Sequence, residues 1–373
     1  MKRKIALLVT PLLFVALAEL IFRLGAWEPV ANPESHAGTS VRLKRNLLNP
    51  AMPKIDFVTL GSSRPEYGID HARLAEEARQ HGFVHANLSM PGSHWMTIGV
   101  LAQWLEKHHP EVRGGIIALS IQDMIFPGNG NYELGIVQPF RDASDTPWIN
   151  AHVPFKRDDI ESYGSYSALF GWRDDVRDLL RHPSKRIKTL EWFARNRSLD
   201  SLFTNPGSQG NMCAHGLGTL AACDAIERSS DASDNLRRQC TQVRTELRHR
   251  PDFGKFVQQD VPPEFMLRTR ELVQSQLRAM HWKTPPIVVL MPVPRVWRND
   301  DKTAGQRQWT LSILQPLVDE GHIELIDATD FFDADSDLGC SKFFDFYHQN
   351  AEGSAQLTAW LLPRLKKTLY PHP

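Results

Sequence analysis

Charge of one sign is missing from this chain. Its 373 residues hold 43 lysines and arginines against 43 aspartates and glutamates. No net field attracts a polyanion, so nucleic acid is not an expected partner. The short basic runs Arg237-Arg238 and Arg248-His249-Arg250 lie close to Asp234, Glu246 and Asp252 and read as solvated surface. Cysteine is scarce. Cys213, Cys223, Cys240 and Cys340 include no Cys-x-x-Cys pair, so zinc-ligand spacing is absent and neither a metal nor another cofactor is expected. No internal repeat occurs, which excludes a solenoid. The remainder is ordinary globular material, 42% hydrophobic and 23% charged, enough for one large domain with insertions or for two.

The N-terminus departs from this pattern. Lys2-Arg3-Lys4 precedes an apolar stretch from Ile5 to Leu24, broken by Thr10, Pro11, Glu19 and Arg23. About 20 apolar residues span a bilayer as a helix, and a basic N-terminal flank places that end in the cytoplasm. The expectation is one uncleaved transmembrane anchor over residues 1–26, with everything after it on the periplasmic or extracellular side of the inner membrane. Ala16-Leu17-Ala18 has the form of a signal-peptidase site, which is the alternative. Glu19 is costly at membrane depth unless it lies near the interface or meets a partner. In an exported chain four cysteines permit disulfides in three pairings, and the cluster Cys213, Cys223, Cys240 suggests a local bridge.

Residues 27–53 are rich in Pro, Asn and basic side chains and read as a linker. An α/β rhythm follows over 54–373. Apolar runs suited to buried parallel strands occur at Ile55–Leu60, Phe83–Leu88, Gly115–Ile121, Pro286–Met291 and His322–Ile326. Helical patterns separate them at His71–Gln80, Thr97–His108, Pro263–His281 and Gln306–Glu320, and a last one runs from Asn350 to Leu369. The expected fold is a three-layer αβα, flavodoxin-like parallel sheet. Residues 129–262 interrupt the rhythm as a helical insertion, with helices predicted at Arg173–Arg181, Lys188–Arg195 and Asn235–Leu247.

Chemistry-bearing residues gather at the carboxyl ends of these strands. Gly61-Ser62-Ser63-Arg64 follows the first strand, where open α/β sheets hold ligands. A serine at a strand-to-helix turn exposes its hydroxyl, and Ser63 is the preferred nucleophile, with Ser62 competing. Asp345-Phe346-Tyr347-His348 precedes the last helix and supplies a base, His348, with a carboxylate, Asp345, to orient it. Gly92, after the second strand, offers an unobstructed backbone N–H, and Gln122, after the third, a side-chain amide. Both are candidate oxyanion donors. Arg64 stands beside the nucleophile, where its cation can meet an anionic substrate or hold the turn through backbone carbonyls. Tyr67 and Trp95 are candidates for stacking on a sugar, with core packing the alternative. His71, His85 and His94 read as structural or surface groups.

These blocks resemble the SGNH (GDSL-type) hydrolase superfamily, whose blocks are Gly-Asp-Ser, a glycine, Gly-x-Asn-Asp and Asp-x-x-His. Gly61-Ser62-Ser63 matches the first with Ser in place of Asp. Gly92 fits the second, and Asp345 with His348 the last. Ser120-Ile121-Gln122-Asp123 departs from the third, with Gln for Asn. The Gly-Ser-Ser variant, the altered third block and the anchor resemble the membrane-tethered DltD-like and alginate-acetylation-like branch. That resemblance implies an exported serine O-acyltransferase of the SGNH type, passing acetyl groups through acyl-Ser63 to an envelope or extracellular polysaccharide. It also implies a multispanning membrane-bound O-acyltransferase as partner. The alternatives are an envelope carbohydrate esterase or deacetylase, and a catalytically silent adaptor.

Overall fold

The structure is a computed structural model of the chain. It describes all residues except 1, 122–129, 143, 153–159, 197, 206–209, 212–219, 233, 235–236, 239, 242–262, 295–299, 338, 346 and 371–373. In chain order, α1 (Lys2–Arg23), α2 (His36–Leu47), β1 (Phe57–Gly61), α3 (Ser63–Gly68), α4 (His71–Gln80), β2 (His85–Asn87), α5 (Trp95–His108) and β3 (Gly114–Leu119) come first. Then follow α6 (Ala168–Gly171), α7 (Arg173–Arg181) and α8 (Pro183–Arg195), among other helical pieces. The chain continues with α9 (Pro263–Ala279), β4 (Ile287–Leu290), α10 (Asp300–Asp319), β5 (Glu324–Asp327) and α11 (Ala351–Leu369). Two compact units result. One comprises Met1–Met52, Gly92–Trp104 and Pro127–Leu199, and the other Pro53–Pro91, Leu105–Phe126 and Asp200–Pro373.

The second unit holds a five-stranded parallel sheet in the order β2-β1-β3-β4-β5. β1, β3 and β4 are short and mostly apolar, with Val, Ile and Leu prominent, and β1 to β4 are buried at every position, as strands covered on both faces must be. Only β5, at the edge, is open to solvent, with Glu324 exposed and the three residues after it half-buried. This order is compatible with a flavodoxin-like fold. The chain leaves β1 toward β2 on one side and returns to β3 on the other, so the carboxyl end of β1 is a topological switch point, where such sheets bind ligands.

In the first unit a small core of Ala31, Val41 and Trp172 packs with Phe22, Trp27 and Val176. The stretch expected to be a linker contains α2, capped by Ser35 and burying Val41, Leu43 and Leu47. Arg186 of α8 is almost fully enclosed, its side chain 1% exposed. It donates to the carbonyl of Val30 (2.7 Å) and pairs with Asp175 and Asp178 of α7. Asp175 also accepts from Trp27 Nε1 (2.7 Å) and the backbone N–H of Asn32 (2.9 Å).

The transmembrane anchor expected from the sequence is not found. Among the described residues, no helix is long and apolar enough to cross a membrane. The two charged residues that break the apolar stretch of α1 have protein partners instead. Glu19 accepts from Ser167 Oγ (2.7 Å) and from the N–H groups of Ala168 (2.9 Å) and Leu169 (3.0 Å), at the start of α6. Arg23 pairs with Glu19 and donates to the carbonyl of Tyr166. Burial pushes the Glu19 carboxyl up, but these donors together with Arg23 outweigh it and hold its pKa below the ordinary value.

Candidate active site

β1 ends at Gly61, where a side chain has no room. A Cβ there would stand 2.3 Å from the Ala118 carbonyl oxygen and 2.5 Å from Pro65 Cγ. The backbone turns directly into α3. Ser62 is the N-cap of that helix, with φ −89° and ψ −163°, and its Oγ accepts the Arg64 N–H at 3.3 Å. Its buried hydroxyl therefore serves the helix. Ser63, one residue on, is half-buried, and its Oγ lies 2.8 Å from His348 Nε2.

His348 comes from the loop between β5 and α11. Phe343 and Gln349 form an antiparallel bridge that closes this loop, and the Phe344 N–H donates to the His348 carbonyl (3.1 Å). Asn350 fixes its base. The Asn350 amide donates to Ser341 O (2.7 Å) and Gly210 O (2.8 Å), while its oxygen caps α11 by accepting from Gly353 N. Cys340, at the start of the loop, is disulfide-bonded, and Cys223 with Cys240 forms the local bridge. Cys213 lies outside the described residues.

Within the loop, Asp345 Oδ1 accepts from the backbone N–H groups of Tyr347 (2.7 Å) and His348 (2.8 Å). Both carboxylate oxygens face His348 Nδ1, at 3.0 and 2.9 Å. An ionised carboxylate can only accept, so Nδ1 carries the proton and Nε2 offers its lone pair to the Ser63 hydroxyl. Ser63, His348 and Asp345 thus form one hydrogen-bonded line.

Aromatic rings surround the imidazole. Tyr67 of α3 approaches it at 5.0 Å between centroids, tilted 55°, and Phe344 stacks on it at 5.5 Å and 14°. Burial, and then the charges of Glu66 and Asp345, push the Tyr67 phenol up, so it stays neutral. Arg64 is buried, its guanidinium 5.4 Å from the centre of the Tyr347 ring.

The remaining predicted residues are distributed as follows. Gly92 belongs to the first unit, at a turn where its φ of 75° suits glycine. Gln122 lies outside the described residues. Trp95 is completely buried, which leaves it no face for a sugar. His71 donates from Nε2 to the Pro65 carbonyl (2.9 Å), and burial lowers its pKa to about 4. His85 stands between Thr59 Oγ1 (2.9 Å) and the Tyr370 hydroxyl (2.6 Å). Burial, with His71 nearby, lowers its pKa to about 3. Sequence reasoning missed Phe344 and Asn350. Asn350 had a usable signal, a cap-forming residue just before a helical run.

Compared with known proteins, the chain matches no family model and no curated protein.

Proposed function

We propose that the protein is a serine acyl-transfer enzyme working through an acyl-Ser63 intermediate. The observation that carries this reading is the line Ser63 Oγ–His348 Nε2–Nδ1–Asp345, with all contacts between 2.8 and 3.0 Å. Ser63 Oγ attacks an acyl carbonyl while its proton passes to His348 Nε2. The imidazolium that forms is stabilised by the Asp345 carboxylate. The tetrahedral intermediate collapses, the bond to the leaving oxygen or sulfur breaks, and the leaving group takes the proton from Nε2. An acceptor hydroxyl then gives its proton to Nε2 and attacks the acyl-serine carbonyl, the acyl–Oγ bond breaks, and Ser63 Oγ takes the proton back from Nε2.

The triad serves a sugar hydroxyl or water equally well. The choice of acetyl as the group moved, of a polysaccharide as acceptor and of a membrane-bound O-acyltransferase as partner rests on the resemblance of the motifs alone. The Cys223–Cys240 disulfide supports work in an oxidising compartment outside the cytoplasm.

A fluorophosphonate probe followed by peptide mass spectrometry tests the chemistry. Ser63 is expected to carry the adduct. The Ser63→Ala variant is expected to take none and to lose ester turnover by at least about 10³-fold. A folded wild-type protein that leaves Ser63 unlabelled overturns the reading.

A further inference from the structure

The hydrogen bonds of His348 leave one degree of freedom loosely set. The final torsion of a histidine side chain is broad, and a carboxylate with both oxygens near Nδ1 tolerates tilting of the ring. Something else must hold the imidazole plane so that Nε2 stays on Ser63. The centroids of His348, Tyr67 and Phe344 lie 5.0, 5.3 and 5.5 Å apart, a nearly equilateral triangle in which each ring braces the other two. Tyr67 stands four residues after Ser63 on the same short helix, and residues at that spacing share a helix face. Arg64, also on α3, reaches the same loop by placing its guanidinium over Tyr347.

We propose that Tyr67 and Phe344 act as positioning residues, clamping the His348 imidazole against the helix that carries the nucleophile. Base and nucleophile are then aligned by one element, α3. The charged and titratable groups that reach the clamp are Asp345 at His348 Nδ1 and Tyr347 beside the imidazole in the loop, and on α3 Arg64 over the Tyr347 ring and Glu66, whose charge acts on Tyr67. The clamp works through ring contacts and needs none of these to change charge. It rests on the reading of His348 as the base for Ser63.

The test compares wild type with Phe344→Leu, Tyr67→Leu, Tyr67→Phe and Phe344→Tyr, each checked for fold by circular dichroism. Two quantities are measured: fluorophosphonate inactivation, resolved into its rate constant and apparent affinity, and the downfield NMR signal of the His348 Nδ1 proton. The leucine variants are expected to lose about 10- to 100-fold in rate constant, as small misplacements of a catalytic group do, with affinity unchanged and the proton signal broadened. The aromatic variants are expected to retain most of the rate and a sharp signal. A sharp signal and full rate in folded leucine variants overturn the clamp. So does a Tyr67→Phe variant as impaired as Tyr67→Leu, because the hydroxyl and not the ring would then matter. If wild type takes no label on Ser63, the acyl-transfer reading fails, and the proton signal alone decides the clamp.

Discussion

In the sheet unit, Val58, Leu60, Ile116, Ile117 and Val288 are fully buried on a parallel ladder that asks for no charged partner. The unit containing α1 closes instead over Arg186, enclosed with Asp175 and paired at its outer side with the exposed Asp178, and over Glu19, which gathers three donors at the start of α6. An apolar core tolerates changes that keep its volume. A buried ionic cluster tolerates only completeness, because removal of one member leaves the others charged and dry. In the sheet unit Ser63 follows β1 while Asp345 and His348 follow β5, and the buried polar pair Thr59 and His85 is a hydrogen bond without a charged partner.

Separating chemistry from stability at the triad is the strongest test of this contrast. Asp345→Asn keeps an oxygen for the N–H groups of Tyr347 and His348, but it can no longer hold Nδ1 in the protonated form. Inactivation at Ser63 is expected to slow by about 10⁴-fold, as an amide in the orienting position does in serine triads, with an unchanged urea midpoint. A fall in both would mean that the active-site edge is structural, as Arg186 is in the other unit.

Arg186→Ala is the complementary change. It leaves Asp175, whose side chain is 8% exposed, without its cation, and is expected to cost about 3–5 kcal/mol. Urea unfolding, with hydrogen exchange followed over residues 173–195, measures it. A loss no larger than that of a surface substitution would remove the distinction between the two kinds of core.

The smallest effect is one of pH. His71 and His85 belong to the sheet unit, and their folded pKa values, about 4 and about 3, lie below the ordinary 6.5. The unfolded chain binds these protons first, so the stability they contribute is complete above pH 6.5 and lost as pH falls toward 4. In the other unit, Glu19 and Asp178 are held below their ordinary values of 4.5 and 3.8, and their contribution is lost only below those. Hydrogen exchange at pH 5 is expected to show the sheet unit losing protection first. Uniform loss across both units would contradict the contrast.

Much of the sheet was legible in the sequence. Short apolar runs bounded by turn residues placed all five strands, with Phe57–Gly61 and Ile287–Leu290 displaced by a residue or two from expectation, and His71–Gln80 and Arg173–Arg181 end where periodicity ended them. Burial leaves a local imprint on sequence, so these elements are readable. Ion pairs across distant segments leave none. Nothing near Arg186 indicates that Asn32 and Trp27 share its carboxylates. Glu19 was misread for the same reason. In an apolar stretch it signalled a costly charge at membrane depth, because the residues that satisfy it lie about 150 positions away. The pairing of Ser63 with His348 was legible only as an order of motifs, and the rings that brace the imidazole were not.

The N-cap at Ser62 has a consequence for how such sites are recognised. What α3 requires at that position is an oxygen to receive the Arg64 N–H, and Ser, Asp and Asn serve that need about equally well. Those residues are thus synonyms at position 62 for one backbone instruction, while the hydroxyl of Ser63, which faces His348, is the one without a substitute. A pattern built on side-chain geometry, with a cap residue followed by a serine at the end of a buried strand, gathers sequences that a pattern built on letters divides.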